Sequence, residues 1–379
     1  MPLNNLLSST IDLDTIRPRL QDKYERSLRL VRDAQKLLLA PHPDADGFSA
    51  AAQIVTGFKM PDKRWSLFPI NTPSRSFTRE DLRDVFRIRP DIIAFLDLTP
   101  KNLRQLLLLK RRSSLVLIDH HRPSDPAVLK EFLIAINPEP EIRESAGAYA
   151  TGKLTFDLIG AAARPDLALV SVIGDRTEES WRVFLKAFTE EEIELARRVA
   201  RRLSAVGSAT RIDIQEPRPA TLKRQRSLFG YLVHTKTLAG FLSSFEATRP
   251  LKDTFDELEE GVAASASKAQ IAVESGVEFV HVPIKVPAQR TWRWSVISGV
   301  LGRIELVAPS QTVVISEAWY RGVELRVVSN DPDIDVTRLL EGFGGGHARL
   351  GGGHSEARTS EVIDVLRERW STLKRKARP

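Results

Sequence analysis

The sequence predicts an α/β protein in which a parallel-sheet domain over residues 1–180 is joined by a helical connector over 181–250 to a smaller α/β domain over 251–379. Three observations carry this expectation. Short apolar runs alternate with helix-length amphipathic stretches up to about residue 175, the pattern of a sheet covered on both faces. The middle stretch is helical and basic and has no strand pattern. Strand-like runs then return after residue 276, interleaved with helices and a glycine cluster.

In order along the chain, Leu20, Tyr24, Leu28 and Val31 recur at helical spacing within 11–35. Lys36–Ala40 is a short buried strand stopped by Pro41, and an Ala-rich helix follows over 48–59. Trp65–Ile70 reads as the next strand. Thr78 to Asp81 reads as a helix start, with the helix ending before Pro90. Asp91–Leu98 is a strand, Lys101–Arg111 a helix and Leu115–Ile118 a strand. Ser145–Ile159 continues the alternation, and Leu167–Ile173 is either helix or strand. Thr189–Leu203 is an amphipathic helix carrying Arg197, Arg198, Arg201 and Arg202, and a basic cluster follows at Lys223, Arg224 and Arg226. An acidic helix start at 253–260 leads into 261–275. Strands are expected at 277–285, 312–316 and 323–328, a helix around 294–306, and a closing helix at Glu361–Trp370 before a basic tail.

Composition narrows the chemistry. At 379 residues with 42% hydrophobic content, the chain can bury two or three domain cores. It has no cysteine, which excludes disulfides, thiolate metal sites and Cys nucleophiles, so any metal must be held by imidazole and carboxylate. No run of 18 apolar residues and no charged-then-apolar leader is present, and the expectation is a soluble, cytoplasmic protein with no membrane partner. The net charge of +7 fits a polyanionic partner.

The chemistry-bearing residues gather at element ends. Asp119, His120 and His121 follow the apolar run 114–118, where a strand must leave the sheet. Open α/β sheets bind ligands at the carboxyl ends of their strands. In the loop 41–47, His42, Asp44 and Asp46 occupy alternate positions and point one way, and Gly47 allows a sharp turn into the next helix. Asp97 ends one apolar run and Asp175 follows another. Singly, each acid reads as a turn or cap residue. Together they deliver six or seven hard-cation ligands to one edge, too many for one tetrahedral ion and suited to two ions sharing a carboxylate. Two ions roughly 3.5–4 Å apart are the usual device for attack of water on a phosphoester. Five of the seven histidines (42, 120, 121, 347 and 354) fall in the chemistry-bearing stretches, leaving His234 and His281 as ordinary residues. The glycine cluster 344–354 offers backbone N–H groups as an anion nest, with His347 and Arg349 as side-chain donors.

With these residues in place, the chain resembles the DHH superfamily of phosphoesterases, in the RecJ-like, archaeal-type branch with a DHHA1 domain. His42 to Gly47 is similar to the family's His-x-Asp-x-Asp-Gly motif, Asp97 to its second motif, Asp119-His120-His121 to its third and Asp175 to its fourth. Asn137-Pro138 with Ser145-Ala146 resembles the stretch between the third and fourth. Gly344-Gly345-Gly346-His347 with Gly351-Gly352 is similar to the DHHA1 glycine motif. The match runs in order over 36–179 and 277–370. The resemblance implies an active site in a cleft between two domains. It implies two divalent ions, Mn²⁺ first and Mg²⁺ second, held by His42, Asp44, Asp46, Asp97, His120 and Asp175, with Asp97 as the bridge. It gives Asp119 and His121 supporting catalytic roles, orienting His120 or contacting phosphate. It assigns substrate to Gly345, Gly346, His347 and Arg349, and to Arg326 in place of the family's phosphate-binding Arg-Ser pair, which this chain lacks at that point.

The leading functional expectation is a metal-dependent exonuclease on single-stranded DNA or RNA, with the basic clusters as a backbone track and replication or repair proteins as further partners. The second is a phosphodiesterase on short oligonucleotides, phosphoadenosine phosphate or cyclic dinucleotides. The third is a non-catalytic replication or repair subunit, disfavoured because every motif acid is intact.

Overall fold

A computed structural model describes residues 13–70, 75–121, 126–138, 149–178, 180–209, 218–273, 278–285, 293–303, 311–319, 322–331, 333–346 and 349–377. The chain divides into two units, one of residues 1–208 with 218–252 and the other of 209–217 with 253–379.

The first unit runs α1 (Leu13–Asp33), β1 (Leu37–Pro41), α2 (Ala45–Gly57), β2 (Trp65–Leu67), α3 (Arg79–Ile88), β3 (Ile92–Leu96), α4 (Leu103–Lys110), β4 (Ser114–Ile118) and β5 (Ile134–Ile136). The helices α5 (Thr151–Ile159), α6 (Pro165–Gly174), α7 (Arg182–Leu185), α8 (Glu190–Ser208), α9 (Arg218–His234) and α10 (Leu238–Ala247) follow. The five strands form one parallel sheet in the order β2-β1-β3-β4-β5. One face packs Leu38, Ala40, Ile93, Phe95, Leu115 and Leu117 against Val85 of α3 and Leu106 and Leu109 of α4. The other face meets α1 and α2. Strands buried on both faces read as continuous apolar runs, which is why these segments show no alternation.

Local chemistry sets the boundaries. The Asp44 side chain caps α2 by accepting from Gly47 N at 3.0 Å, so α2 begins at Ala45, three residues earlier than its apolar pattern indicates. A Cβ at Gly47 would lie 2.3 Å from the His42 carbonyl, so only glycine lets the loop close on itself. Thr78 and Asp81 form a capping box on α3. The ambiguous run 167–173 is helical. Pro165 sits at the first position of α6, and the whole stretch is buried, which removes the polar face that marks a helix in sequence. Asp175 therefore ends a helix and not a strand. The 181–250 stretch supplies α7, α8, α9 and α10, and α8 packs on α2 and α6 while α9 packs on α2.

The long helix α11 (Arg249–Val273) crosses the unit boundary. The second unit then holds β6 (Phe279–Ile284), α12 (Arg293–Arg303), β7 (Thr312–Trp319), β8 (Gly322–Ser329), α13 (Val336–Leu339), β9 (Gly344–Gly346), β10 (Leu350–Ser355) and α14 (Thr359–Ala377). Its sheet order is β6-β7-β8-β10-β9, with β6 and β7 parallel and the remaining pairs antiparallel. Val323, Leu325 and Val327 pack with Leu339, Val362 and Leu366 to form its core.

Candidate metal centre

Sheet register assembles the centre. Pro41 of β1, Leu96 of β3, Ile118 of β4 and Ile136 of β5 are in line across the sheet. The next residues are His42, Asp97, Asp119 and Asn137, so four adjacent strands deliver polar groups to one edge about 4.8 Å apart. The α2 start adds Asp44 and Asp46, and the α6 end adds Asp175. All eight residues expected at this edge are brought together.

Asp97 is at the middle. His120 Nε2 lies 3.1 Å from Asp97 Oδ1, 3.3 Å from Asp175 Oδ2 and 3.6 Å from Asp46 Oδ2. His42 Nδ1 lies 3.7 Å from the other oxygen of Asp97 and 2.5 Å from Asp44 Oδ2. The ligand atoms form three overlapping sets, His42-Asp44-Asp97, Asp46-His120-Asp175 and Asp97-Asp119-His120-His121, and the Asp97 carboxylate has one oxygen towards His42 and the other towards His120. Asp97 also has φ at +61°, a left-handed conformation that costs a non-glycine residue roughly 1–2 kcal/mol. Such strain persists where surrounding structure imposes it, and here the Asp97 N–H donates to the Ile118 carbonyl at 3.0 Å.

The carboxylates differ in what holds them. Asp119 is saturated: Oδ1 accepts from the His120 and His121 amides and from His121 Nδ1 at 2.8 Å, and Oδ2 accepts from the Thr99 hydroxyl at 2.6 Å. Burial alone would raise its pKa, but the His121 imidazole and its hydrogen bond outweigh burial and hold Asp119 well below the carboxylate range. Asp119 orients the His121 imidazole and pins the backbone that carries His120. Asp46 sits at the N-terminus of α5 and accepts from Thr151 N and Gly152 N, both at 2.7 Å, and from the Ser171 hydroxyl at 2.5 Å. Burial, with the charges of Asp175 and Asp44, still pushes Asp46 up to about 8. Asp97 is likewise driven well above the carboxylate range, by burial first and then by Asp46, Asp44, Asp175 and Asp119. Asp46 and Asp97, buried among like charges, favour the protonated form unless cations neutralise them. The donor set therefore fits hard divalent ions.

Several supporting residues carry little sequence signal. Thr99, Thr151, Gly152 and Ser171 hold the acids. At Gly152 a Cβ would lie 2.7 Å from Ser171 Cβ, so glycine there keeps α5 close enough to reach Asp46. The Asn137 amide donates to the His121 carbonyl at 2.8 Å. Lys153 is fully buried, paired with both Asp157 oxygens at 2.6 Å and 4.1 Å from the Trp181 ring, and it ties α5 to α7. Arg75 is close enough for its charge to lower Asp119, and it also lowers Lys101 after that group's partial burial.

The basic track expected along 197–226 is largely engaged elsewhere. Arg218 donates to Asp81 at 3.0 Å and to the Pro69 carbonyl, Arg224 to the Val206 carbonyl and Arg226 to the Leu67 carbonyl. Arg202 pairs with Glu246 and Arg197 with Glu194. All but Arg197, whose pair lies within α8, fasten helices to the sheet or to each other. In the tail, Lys374 pairs with buried Asp331 at 2.8 Å.

In the second unit the glycine cluster is a hairpin of β9 and β10, and not only a turn with free amides. Arg326, Gly352 and Gly345 form one row across β8, β10 and β9. A Cβ at Gly352 would lie 1.5 Å from Arg326 Nη1, so the guanidinium lies across the glycine. Burial lowers the Arg326 pKa to about 10. Arg349 donates to the Asp331 carbonyl, Gly345 is exposed and Gly346 has φ at +157°. His347 lies outside the described residues. His354 instead pairs with Glu324 at 2.8 Å. Of the two remaining histidines, His281 bonds to Ser316 at 2.7 Å and His234 is exposed. Among the described residues no helix is long and apolar enough to cross a membrane.

No protein-family model matches the sequence, and no curated protein is similar to it. Solved structures do match. A DHH-domain protein described as a member of a family of ribosomal proteins is 16% identical with a TM-score of 0.65, covering 97% of this chain and 93% of its own. RecJ in complex with Mn²⁺ from Thermus thermophilus is 18% identical with a TM-score of 0.57, over 99% of this chain and 55% of that one. A second exonuclease RecJ, bound to manganese, is 18% identical with a TM-score of 0.53 over 92% of each chain. The expected α/β fold and these likenesses agree: the chain shares the fold of these DHH-domain and RecJ structures.

Proposed function

We propose that the chain is a metal-dependent phosphodiesterase that removes nucleotides from the end of single-stranded DNA or RNA. One observation carries this reading: the Asp97 carboxylate has one oxygen towards His42 and the other towards His120, and it belongs to a donor set with each of them. We assign His42, Asp44 and Asp97 to one divalent ion and Asp46, His120 and Asp175 to a second, with Asp97 shared and Mn²⁺ or Mg²⁺ as the metal. When bound, such a pair lowers the pKa of a water and neutralises the phosphate it attacks. The chain's own part is placement. Asp119, held by Thr99, fixes the ring of His121 and the backbone of His120. The α5 amides and Ser171 aim Asp46. Arg75 supplies positive charge beside Asp119 for the substrate's phosphate. In the second unit, Arg326, Gly345, Gly346, His347 and Arg349 are assigned to substrate phosphate.

The inward bonding of Arg218, Arg224 and Arg226 supports a second reading, a phosphodiesterase on short oligonucleotides or other small phosphodiesters that needs no long backbone track. Digestion of 5′- and 3′-labelled DNA and RNA strands of graded length, with Mn²⁺ or EDTA, tests both. The exonuclease reading expects Mn²⁺-dependent ladders from one end, with rates that rise with length and fall with salt. Rates flat in length and salt select the short-substrate reading. Absence of hydrolysis on every strand contradicts both.

A further inference from the structure

The outward face of α4 departs from what a surface helix requires. Gln105, Leu106 and Leu109 are buried towards the sheet, so the opposite face should be polar. It instead carries Leu103, Leu107 and Leu108, exposed at 43%, 45% and 43%. Leu133, 47% exposed, follows the 126–131 segment that packs on α4. A single exposed leucine is unremarkable, but three on one side of an eight-residue helix put an apolar stripe on its outward face as well as on its buried one.

The charges on this face are of one sign. Arg104 and Arg111 each lie three and four residues from Leu107 and Leu108, within one turn and on the outward side. Neither has a carboxylate partner among the described residues. The remaining cations of the stretch point elsewhere: Lys110 pairs with Glu131 at 3.0 Å, and Arg112 lies 5.1 Å from the Phe86 ring. The helix itself has no acidic residue. An occupant must cover the leucines and bring carboxylates to Arg104 and Arg111. A second copy of this chain fails that requirement, because paired α4 faces would set arginines against arginines on molecules of net charge +7. A nucleic acid strand would satisfy the arginines, but among the described residues the outward face of α4 offers no aromatic ring for a base to stack on.

We propose that the Leu103-Leu107-Leu108 face of α4 docks an acidic amphipathic helix of a partner protein. Its apolar stripe would cover the leucines, and its flanking Asp or Glu side chains would pair with Arg104 and Arg111. The α4 face spans about 12 Å at 1.5 Å rise per residue, so two to three turns of a partner helix would cover it. This inference is independent of the proposed hydrolysis, because none of its residues belongs to the metal centre.

The test uses the full chain, immobilised, and a displayed library of random 16-residue segments. The library is depleted on the Leu107→Ser, Leu108→Ser variant and then selected on the unsubstituted protein. The expected winners have net negative charge with large apolar residues at i, i+3 or i+4, and i+7. A synthetic winner should bind the unsubstituted protein at least tenfold more tightly than the Arg104→Glu, Arg111→Glu variant. Melting curves matching the parent in both variants confirm that they fold, since every substituted side chain is exposed. Neutral or basic winners, or none that depend on Leu107 and Leu108, overturn the proposal. So does a phosphatidylglycerol vesicle or a 20-nucleotide single strand whose binding is lost in the Leu107→Ser, Leu108→Ser variant, or a dimer in sedimentation velocity that this variant dissociates.

Discussion

The two sheets handle charge in opposite ways. In the first unit, a parallel register puts four strand ends side by side, and each end carries an acid, an imidazole or an amide. The result is a buried set of mutually repelling carboxylates in which Asp97 and Asp46 are driven towards the protonated form. In the second unit, antiparallel pairing puts glycines opposite Arg326, and the absence of a Cβ lets a guanidinium lie across the sheet. The first arrangement calls for a cation, whereas the second presents one. The difference follows from geometry. Parallel strands all point one way and concentrate their exits at one edge, whereas a hairpin exposes its face.

Removing the shared carboxylate should break the comparison most severely. Asp97→Ala is expected to lower the rate of phosphodiester hydrolysis at least 10³-fold, about 4 kcal/mol of transition-state stabilisation, read from single-turnover kinetics in Mn²⁺. The same substitution removes a like charge and a left-handed residue that carries a side chain, so the EDTA-treated variant should melt no lower than the parent. A rate within tenfold of the parent would exclude Asp97 from the centre.

Next in size is the support beneath Asp46. Lys153→Met removes one partner of the buried Lys153–Asp157 pair and is expected to cost about 3 kcal/mol in denaturant unfolding. Asp157→Asn combined with Lys153→Met should recover much of that loss, because no charge is then left without its partner.

A smaller, signed effect concerns pH. Asp46, about 8 in the folded chain against an ordinary 3.8, and Asp97, also raised, keep protons in the folded state that the unfolded chain releases. Between about pH 4 and pH 8 the metal-free protein should therefore lose stability as pH rises. Asp119, lowered in the folded state, acts in the opposite sense and at more acid pH, where its contribution is lost as pH falls. Melting curves in EDTA from pH 5 to pH 8 should shift downwards, and saturating Mn²⁺ should flatten that slope. A metal-free midpoint that rises with pH over the same range would contradict the reading of Asp46 and Asp97.

The smallest effect belongs to the second unit. Gly352→Ala forces the Arg326 guanidinium aside and is expected to raise KM about tenfold, roughly 1.4 kcal/mol, with kcat and Mn²⁺ affinity unchanged. An unchanged KM would remove Arg326 from substrate contact.

Much of the centre was legible because strand exits announce themselves. An acid after four or five apolar residues, repeated at Asp97 and Asp119, marks a shared edge once the sheet is known to be parallel. The supporting residues were not legible. Thr151, Gly152 and Ser171 meet Asp46 across more than a hundred residues of chain, and nothing in their local pattern differs from an ordinary helix start or core position. The helical state of 167–173 was ambiguous because complete burial erases the polar face that separates helix from strand. The arginines of α9 read as a free basic face, but several donate to carbonyls of other elements, a destination that sequence spacing does not encode.

The most direct measurement of the central claim is calorimetric titration of the metal-free protein with Mn²⁺, alongside Asp97→Ala. A two-ion centre with a shared Asp97 predicts two ions per chain in the parent and at most one, bound more weakly, in the variant. Binding of one ion or none by the parent, or two by Asp97→Ala, would contradict it.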